Sequence, residues 1–292
     1  MQKPRFEIGV VLKLGGTSFR LELCSEMSTI LDTIVARKRE EIAVRKAATS
    51  LAQLEARIAE SANPRGFAAN LAKVAETGPA IIAEVKRGSP SLGLIRPDLI
   101  AADQAAAYTA GGAAALSVLT DIDFFFGSDA DLARAREASP LPMLRKEFII
   151  DEYQLYESCA MGADCVLLIL AILSDAQVTA LAETAHALGM DVLAETHTAD
   201  EIKRARDHVP FDLLGINNRN LKTFDTNAQT TFDLAGDAAV DTLVAESGLH
   251  TPEVIADFLD AGIRRFLIGE AFVRADDPQA TVASFFAAQR QA

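Results

Sequence analysis

From about residue 80 onward the chain alternates between short apolar runs and longer amphipathic stretches. The runs fall at 80–85, 114–119, 141–144, 165–170, 190–194, 211–216, 242–245 and 265–268. These eight runs recur at intervals of roughly 21 to 34 residues, the length of one strand–helix unit. Each is nearly all apolar instead of alternating, which predicts parallel strands covered on both faces. The stretches between them carry helix signals. Thr198 with Glu201, and Ser174 with Gln177, have capping-box spacing, in which each side chain satisfies an orphan backbone amide. Thr251-Pro252 offers a cap followed by proline in the first turn, while Gly162, Gly189 and Gly262 mark helix ends just before the next run.

Eight parallel strands can lie open or close on themselves. The roughly 210 residues from Ala80 to the end suit a small (β/α)8 TIM barrel. No G-x-G-x-x-G turn follows the first run, which disfavours an open dinucleotide-binding sheet. Residues 80–292 are therefore read as the barrel and 27–79 as an N-terminal helical segment packing on it, the two forming one domain. In that segment Ile30, Leu31, Ile34, Val35, Ile42 and Val44 recur at near-helical spacing, with Lys, Arg and Glu on the other face. Residues 1–26 read differently. The apolar stretch 8–14 contains Lys13, precedes Gly15-Gly16 and lacks a small-residue cleavage signature, so it is a poor signal peptide. It reads either as an added strand or hairpin, or as a segment ahead of a natural start at Met27.

Composition narrows the function. The chain of 292 residues carries a net charge of -13 with 24% charged residues, an ordinary globular balance. Acidity of that size argues against nucleic acid or an anionic membrane as partner. No apolar run approaches the roughly 20 residues that span a bilayer. Cys24, Cys159 and Cys165 are an odd, scattered set without metal-ligand spacing, as expected of buried thiols in a reducing cytoplasm. The histidines form no H-x-x-x-H pair. His186 and His208 read as helix-surface residues, and His197 as facing the mouth without a catalytic task. No metal and no cofactor are expected, and the chain is expected to act as a monomer, a higher assembly being left open.

In a barrel, chemistry gathers at the carboxyl ends of the strands. Polar residues collect there: Glu84-Val-Lys86-Arg87, Arg145-Lys146-Glu147, Glu195-Thr-His197, Asn217-Asn-Arg219, Glu246-Ser247-Gly248 and Gly269-Glu270. Glu84 and Lys86 are two apart and share a face, which in a barrel is the inner one. Lys86, Arg87, Arg145, Lys146 and Arg219 are all assigned to one face, a cationic patch on an acidic protein that selects a small anion. The Ser247-Gly248 and Gly269-Glu270 junctions follow the seventh and eighth strands, the recurrent phosphate site of barrels, where a missing Cβ admits phosphate oxygens to the main chain. Phe124, Phe125 and Phe126 follow the second strand. They either pack under the adjacent helix or form an apolar wall against an aromatic ligand.

Together these residues resemble the indole-3-glycerol phosphate synthase family of tryptophan biosynthesis. The resemblance runs from about Met27 to the end and includes Ile30-Leu-Asp-Thr-Ile34 with Lys38 and Glu41, then Glu84-Val-Lys-Arg-Gly-Ser-Pro-Ser91. Leu119-Thr-Asp121 with Phe125, Leu144-Arg-Lys-Glu-Phe148, Glu195-Thr-His197, Gly215-Ile-Asn-Asn-Arg219, Glu246-Ser-Gly248 and Leu267-Ile-Gly-Glu270 follow in order. Asp123 and Phe126 depart from the family's usual lysine and polar residue. Glu147, Leu249 and Phe272-Val273 are milder changes. The resemblance implies a cofactor-free lyase that closes 1-(2-carboxyphenylamino)-1-deoxyribulose 5-phosphate to indole-3-glycerol phosphate, with loss of carbon dioxide and water. It further implies Lys146 as the acid, its proton loosened by nearby Lys86 and Arg145, and Glu195 as the base with Lys86 assisting. Glu84 would orient Lys86, and Asn217 would bond the departing hydroxyl. Arg219 and Ser89 would meet the substrate, Phe125 and Phe148 its ring, and Ser247, Gly248, Gly269 and the Glu270 amide its phosphate. Two other readings stay open: a phosphate-binding isomerase of tryptophan or histidine biosynthesis, which the lack of an obvious Cys/Asp acid–base pair disfavours, and a non-catalytic barrel scaffold.

Overall fold

The computed structural model describes residues 8–14, 17–23, 29–221 and 223–287. Eight strands, β1 Ala80–Val85, β2 Ala115–Leu119, β3 Met143–Lys146, β4 Cys165–Ile169, β5 Asp191–Thr196, β6 Leu213–Asn217, β7 Leu243–Glu246 and β8 Arg265–Ile268, form a closed barrel. All neighbours are parallel and follow chain order, and β8 closes on β1 with Ile268 beside Ala83. Along β1 the two-residue period splits the core. Ile81, Ala83 and Val85 pack outward against the helices, while Ala80 and Ile82 face inward with Leu144, Leu167, Leu193, Val244 and Leu267.

Outside lie α4 Ala101–Ala110, α5 Asp129–Ala138, α6 Tyr153–Ala160, α7 Asp175–Ala187, α8 Ala199–His208, α9 Gln229–Leu234 and α10 Pro252–Asp260. The short α11 Glu270–Val273 and α12 Pro278–Ala287 follow β8. Gly162, Gly189 and Gly262 each take positive φ between helix and strand, as their spacing predicts. Ser174 and Gln177 form the expected capping box. Thr198 accepts the Glu201 N–H, but the Glu201 carboxylate reaches past it to accept the His197 N–H at 2.7 Å, so that box is only half made. Thr251 makes no side-chain cap, although Pro252 does open α10.

Several strands end later than the apolar runs suggest. The third extends to Lys146, the fifth to Thr196 and the seventh to Glu246, since the hydrogen-bonded ladder continues after the apolar side chains stop. The site residues are thus the strand ends themselves.

The segment before the barrel wraps it from mouth to base. Helix α1, Ile30–Ala48, lies over the mouth; α2, Leu51–Glu60, packs on α6; α3, Phe67–Ala75, plugs the base with Phe67 and Leu71 fully buried among Ala80, Ala114 and Val244. The Arg65 N–H donates to Asp164 and the Ala68 N–H to Asp191, pinning α3 to the starts of β4 and β5. The expected apolar face of α1 needs one correction. Ile34 and Ile42 are buried, but Val44 is 69% exposed, and the buried position between them is taken by Lys38. Positions 34, 38 and 42 lie one above another on a helix, and partners on the barrel make burial of that lysine tolerable. At the N-terminus, residues 8–14 and 17–23 pair as an antiparallel hairpin. Cys159 and Cys165 are free and buried, while Cys24 and Met27 lie outside the described residues.

Candidate active site

Five strands carry an inward polar side chain at or next to their carboxyl end: Glu84 on β1, Lys146 on β3, Glu195 on β5, Asn217 on β6 and Glu246 on β7. All five line one cavity at the carboxyl end of the barrel, together with Lys86. Lys146 Nζ stands 3.8 Å from Glu84 Oε2, 3.6 Å from Glu195 Oε2 and 3.5 Å from Glu246 Oε2. Lys86 Nζ meets Glu84 Oε1 at 2.6 Å. Two lysines and three carboxylates therefore share the cavity lining with the apolar Leu167, Ile169 and Leu267.

The cationic patch is narrower than the sequence suggests. Adjacent residues of a strand face opposite sides. Lys146 points in, so Arg145 points out, fully buried against Thr120, Ser158 and Asp129. Arg87 likewise turns away and forms a two-pronged pair with Asp131. Of the five assigned cations, Lys86, Lys146 and Arg219 line the cavity; Arg87 and Arg145 fasten loops to α5 and α6.

The charges set the protonation states. Burial pushes the Lys146 ammonium toward losing its proton, but Glu246, Glu195 and Glu84 outweigh this and hold its pKa above the ordinary lysine value. That overturns the expectation of a loosened proton, because Arg145 is not beside it. Burial also works against the Glu84 carboxylate, yet Lys86 and Lys146 keep its pKa below the usual range. Glu246 goes the other way. Burial and the neighbouring Glu195 carboxylate, opposed by Lys146, push it up to about 8. Between the ordinary carboxylate value and that point, the folded protein binds a proton that the unfolded chain releases, so this group costs stability increasingly as pH rises. Glu246→Gln should therefore gain in melting temperature over the parent as pH is raised from about 5 to about 9. A pH-independent difference would contradict the shift.

Local backbone explains the crowding. A Cβ at Gly215 would collide with the Glu246 carboxylate, and one at Gly269 with that of Glu84. Gly269 thus first makes room for the Glu84–Lys86 pair, not only for a ligand. Ser247 and Gly248 both take positive φ, 65° and 74°, a conformation that serine rarely adopts. Asn218 supports it: its side-chain amide donates to the Ser247 carbonyl at 3.1 Å while its oxygen accepts from Thr231. Asn217 Oδ1 accepts the Arg219 N–H at 3.0 Å, fixing the amide's orientation, and the Arg219 guanidinium donates to the Phe224 carbonyl. Ser89, Gly248, Gly269 and Glu270 also line the cavity, with the Glu270 carboxylate engaged by Arg274.

The aromatic run divides. Phe125 faces the cavity, its ring 5.9 Å from that of Phe148, and Phe124 is half-buried beside them. Phe126 is exposed on the rim, against Gly88. His186 and His208 are surface residues paired with Asp212 and Asp175. His197 lies nearly buried behind Glu195 and is absent from the cavity wall.

Several contributors are missing from the residues that the sequence put in roles. Glu246 is visible there only as one polar strand end. Ile30, Leu31 and Ile34 of α1 form part of the cavity wall. Lys38, on the same helix, bonds Glu41 at 2.7 Å, Glu147 at 3.0 Å and Asp121 at 3.1 Å, tying α1 to the loops that carry Phe125 and Phe148. Among the described residues no cluster of three or more His, Cys, Asp or Glu is arranged to hold a metal ion.

A family model described as indole-3-glycerol phosphate synthase matches residues 31–285, nearly the whole chain. The chain belongs to the indole-3-glycerol phosphate synthase family. The family's activity is that of a carboxy-lyase of tryptophan biosynthesis, acting on a phosphate-containing substrate to form indole-3-glycerol phosphate. Solved structures show the same fold at low identity. A tryptophan synthase subunit alpha from Legionella pneumophila is 15% identical with a TM-score of 0.56, covering 78% of this chain and 98% of that one. A thiamine phosphate pyrophosphorylase from Pyrococcus furiosus is 12% identical with a TM-score of 0.54, covering 74% and 96%. Among the described residues, no helix of this synthase-family chain is long and apolar enough to cross a membrane.

Proposed function

We propose that Lys146 is the acid of the ring closure and Glu195 the base, with the anthranilate ring against Phe125 and Phe148. The observation that carries this reading is the Lys146 ammonium, held within 3.8 Å of Glu84, Glu195 and Glu246 at the floor of the mouth. Attack of the ring carbon on the ketone places negative charge on the ketone oxygen. A nearly buried lysine that enters the reaction charged stabilises that charge and then supplies the proton. Its raised pKa does not prevent this, because the alkoxide formed is a stronger base than a lysine amine. Loss of carbon dioxide restores the aromatic ring. Glu195 then takes the proton from the carbon beside nitrogen, while the hydroxyl takes a proton from Lys86 and leaves as water. Glu84 orients Lys86, which assists that step, and Asn217 bonds the departing hydroxyl.

The substrate's two anions have separate places in this reading. Ser247, Gly248, Gly269 and the Glu270 amide take the phosphate; Arg219 and Ser89 take the carboxylate end. Every group named comes from one chain, so the reading calls for a monomer, and the free buried thiols suit a reducing cytoplasm. The test is direct because the chain has no tryptophan to mask product fluorescence. Mixed with the carboxyphenylamino substrate, the protein should generate indole emission equally with and without chelator. No emission would overturn the reading.

A further inference from the structure

We propose that His197 and Glu201 form a proton inlet that recharges the site from the side of the barrel, through Glu195. This rests on the ring-closing reading above.

The reaction consumes a proton. Two protons are added to the ketone oxygen, which leaves as water, and one is recovered from the carbon beside nitrogen. The new carbon–carbon bond takes its electron pair from the aromatic ring, and the broken bond to carbon dioxide returns one. One proton per turnover must therefore come from solvent. Bound substrate would cover the mouth, where Lys146 and Glu195 are already nearly buried.

The structure offers another way in. Behind Glu195, at the end of β5, the His197 ring is 11% exposed, with both nitrogens buried and neither completing a hydrogen bond. Such a ring is uncommon, because buried polar atoms are costly when unpartnered. Its Nε2 stands 3.5 Å from Glu195 Oε1, and its Nδ1 stands 3.4 Å from Glu201 Oε2. The other oxygen of Glu195 faces Lys146 at 3.6 Å. Glu201 lies in the first turn of α8, is 17% exposed, and is fixed by accepting the His197 N–H. The order from solvent inward is Glu201, His197, Glu195, Lys146. Separations of 3.4 to 3.5 Å close to hydrogen bonds by a small ring rotation, as catalytic contacts do once substrate is bound.

The charges facing the ring suit a carrier. Burial disfavours its cation, but Glu201 and Glu195 overcome that and raise its pKa above the ordinary value, while Lys146 opposes them. Arg204 stands behind Glu201, whose carboxyl is held below its usual range, chiefly by His197 against the effect of burial. The proton taken up at Nδ1 leaves from Nε2 to Glu195, and the ring returns to neutral. His197 touches no reacting atom and acts through Glu195.

The experiment compares wild type, His197→Gln and Glu201→Gln in kcat, KM and solvent deuterium isotope effect between about pH 6 and pH 9. Both variants should lose roughly tenfold or more in kcat, increasingly toward high pH, with KM little changed and a larger isotope effect. Small protonated buffers such as imidazole should restore part of that loss. Wild-type kcat and isotope effect in both variants would overturn the inlet. So would a pH-independent loss with raised KM, which marks a packing role. Should His197→Gln not fold, Glu201→Gln, at the outer end of the path, decides alone. A wild-type protein without turnover would instead refute the ring-closing reading itself.

Discussion

Replacing Lys146 by alanine should lower kcat by about a thousandfold or more while inorganic phosphate and the phosphorylated product still bind. The separation follows from geometry. Lys146 sits on β3 among Glu84, Glu195 and Glu246, whereas the phosphate site is assigned to Ser247, Gly248 and Gly269 on the far side of the ring. The variant also leaves three buried carboxylates without their shared cation. Breaking a buried ion cluster in this way costs about 3–5 kcal/mol, less where the carboxylates take up protons instead. Stability should therefore recover as pH falls, and turnover should not. Lys146→Met, of similar length but uncharged, separates packing from charge and should be as inactive as alanine. Near wild-type turnover in either variant, measured by indole emission, would remove Lys146 from the acid's role.

The barrel itself was legible in the apolar runs, because eight strands covered on both faces leave an unmistakable period. Much of the site was legible for a related reason. Glu84 and Lys86 are two residues apart on a strand, so their shared inward face follows from the pleat alone. Arg145 and Lys146 show where such reading fails. Both are cations at one strand end, but neighbours cannot face the same side, and only Lys146 reaches the cavity. Their apparent cooperation on the Lys146 pKa disappears with that fact, and three carboxylates from strands far apart in sequence take its place. Glu246 owes its raised pKa to burial first and then to Glu195, more than fifty residues away, a coupling no local pattern carries. Lys38 was concealed differently. On an amphipathic helix a lysine reads as solvated, and only the meeting of α1 with Asp121 and Glu147 makes it a core residue.

That meeting yields the second large effect. Lys38→Met should destabilise the fold by about 3–5 kcal/mol, because its removal leaves Asp121 and Glu147 buried and facing each other. The two carboxylates also hold the aromatic wall. Asp121 accepts the N–H groups of Phe124 and Phe125 at 2.7 and 3.1 Å, and Glu147 accepts that of Phe148 at 2.8 Å. The second oxygen of Glu147 accepts from Thr120, whose hydroxyl in turn receives Arg145. Losing the lysine therefore loosens both loops that flank the proposed ring site, and KM should rise together with the fall in stability. Lys38→Arg should not restore either, since the site grips a compact ammonium through Glu41, Asp121 and Glu147, and a planar guanidinium cannot face all three. A double-mutant cycle with Glu147→Gln, read by urea unfolding, should return a coupling of about 1–3 kcal/mol. If Lys38→Met costs less than about 1 kcal/mol, or leaves KM untouched, α1 is a passive cover over the mouth. If both move, the helix before the barrel is a working wall of the site, held in place by one buried charge.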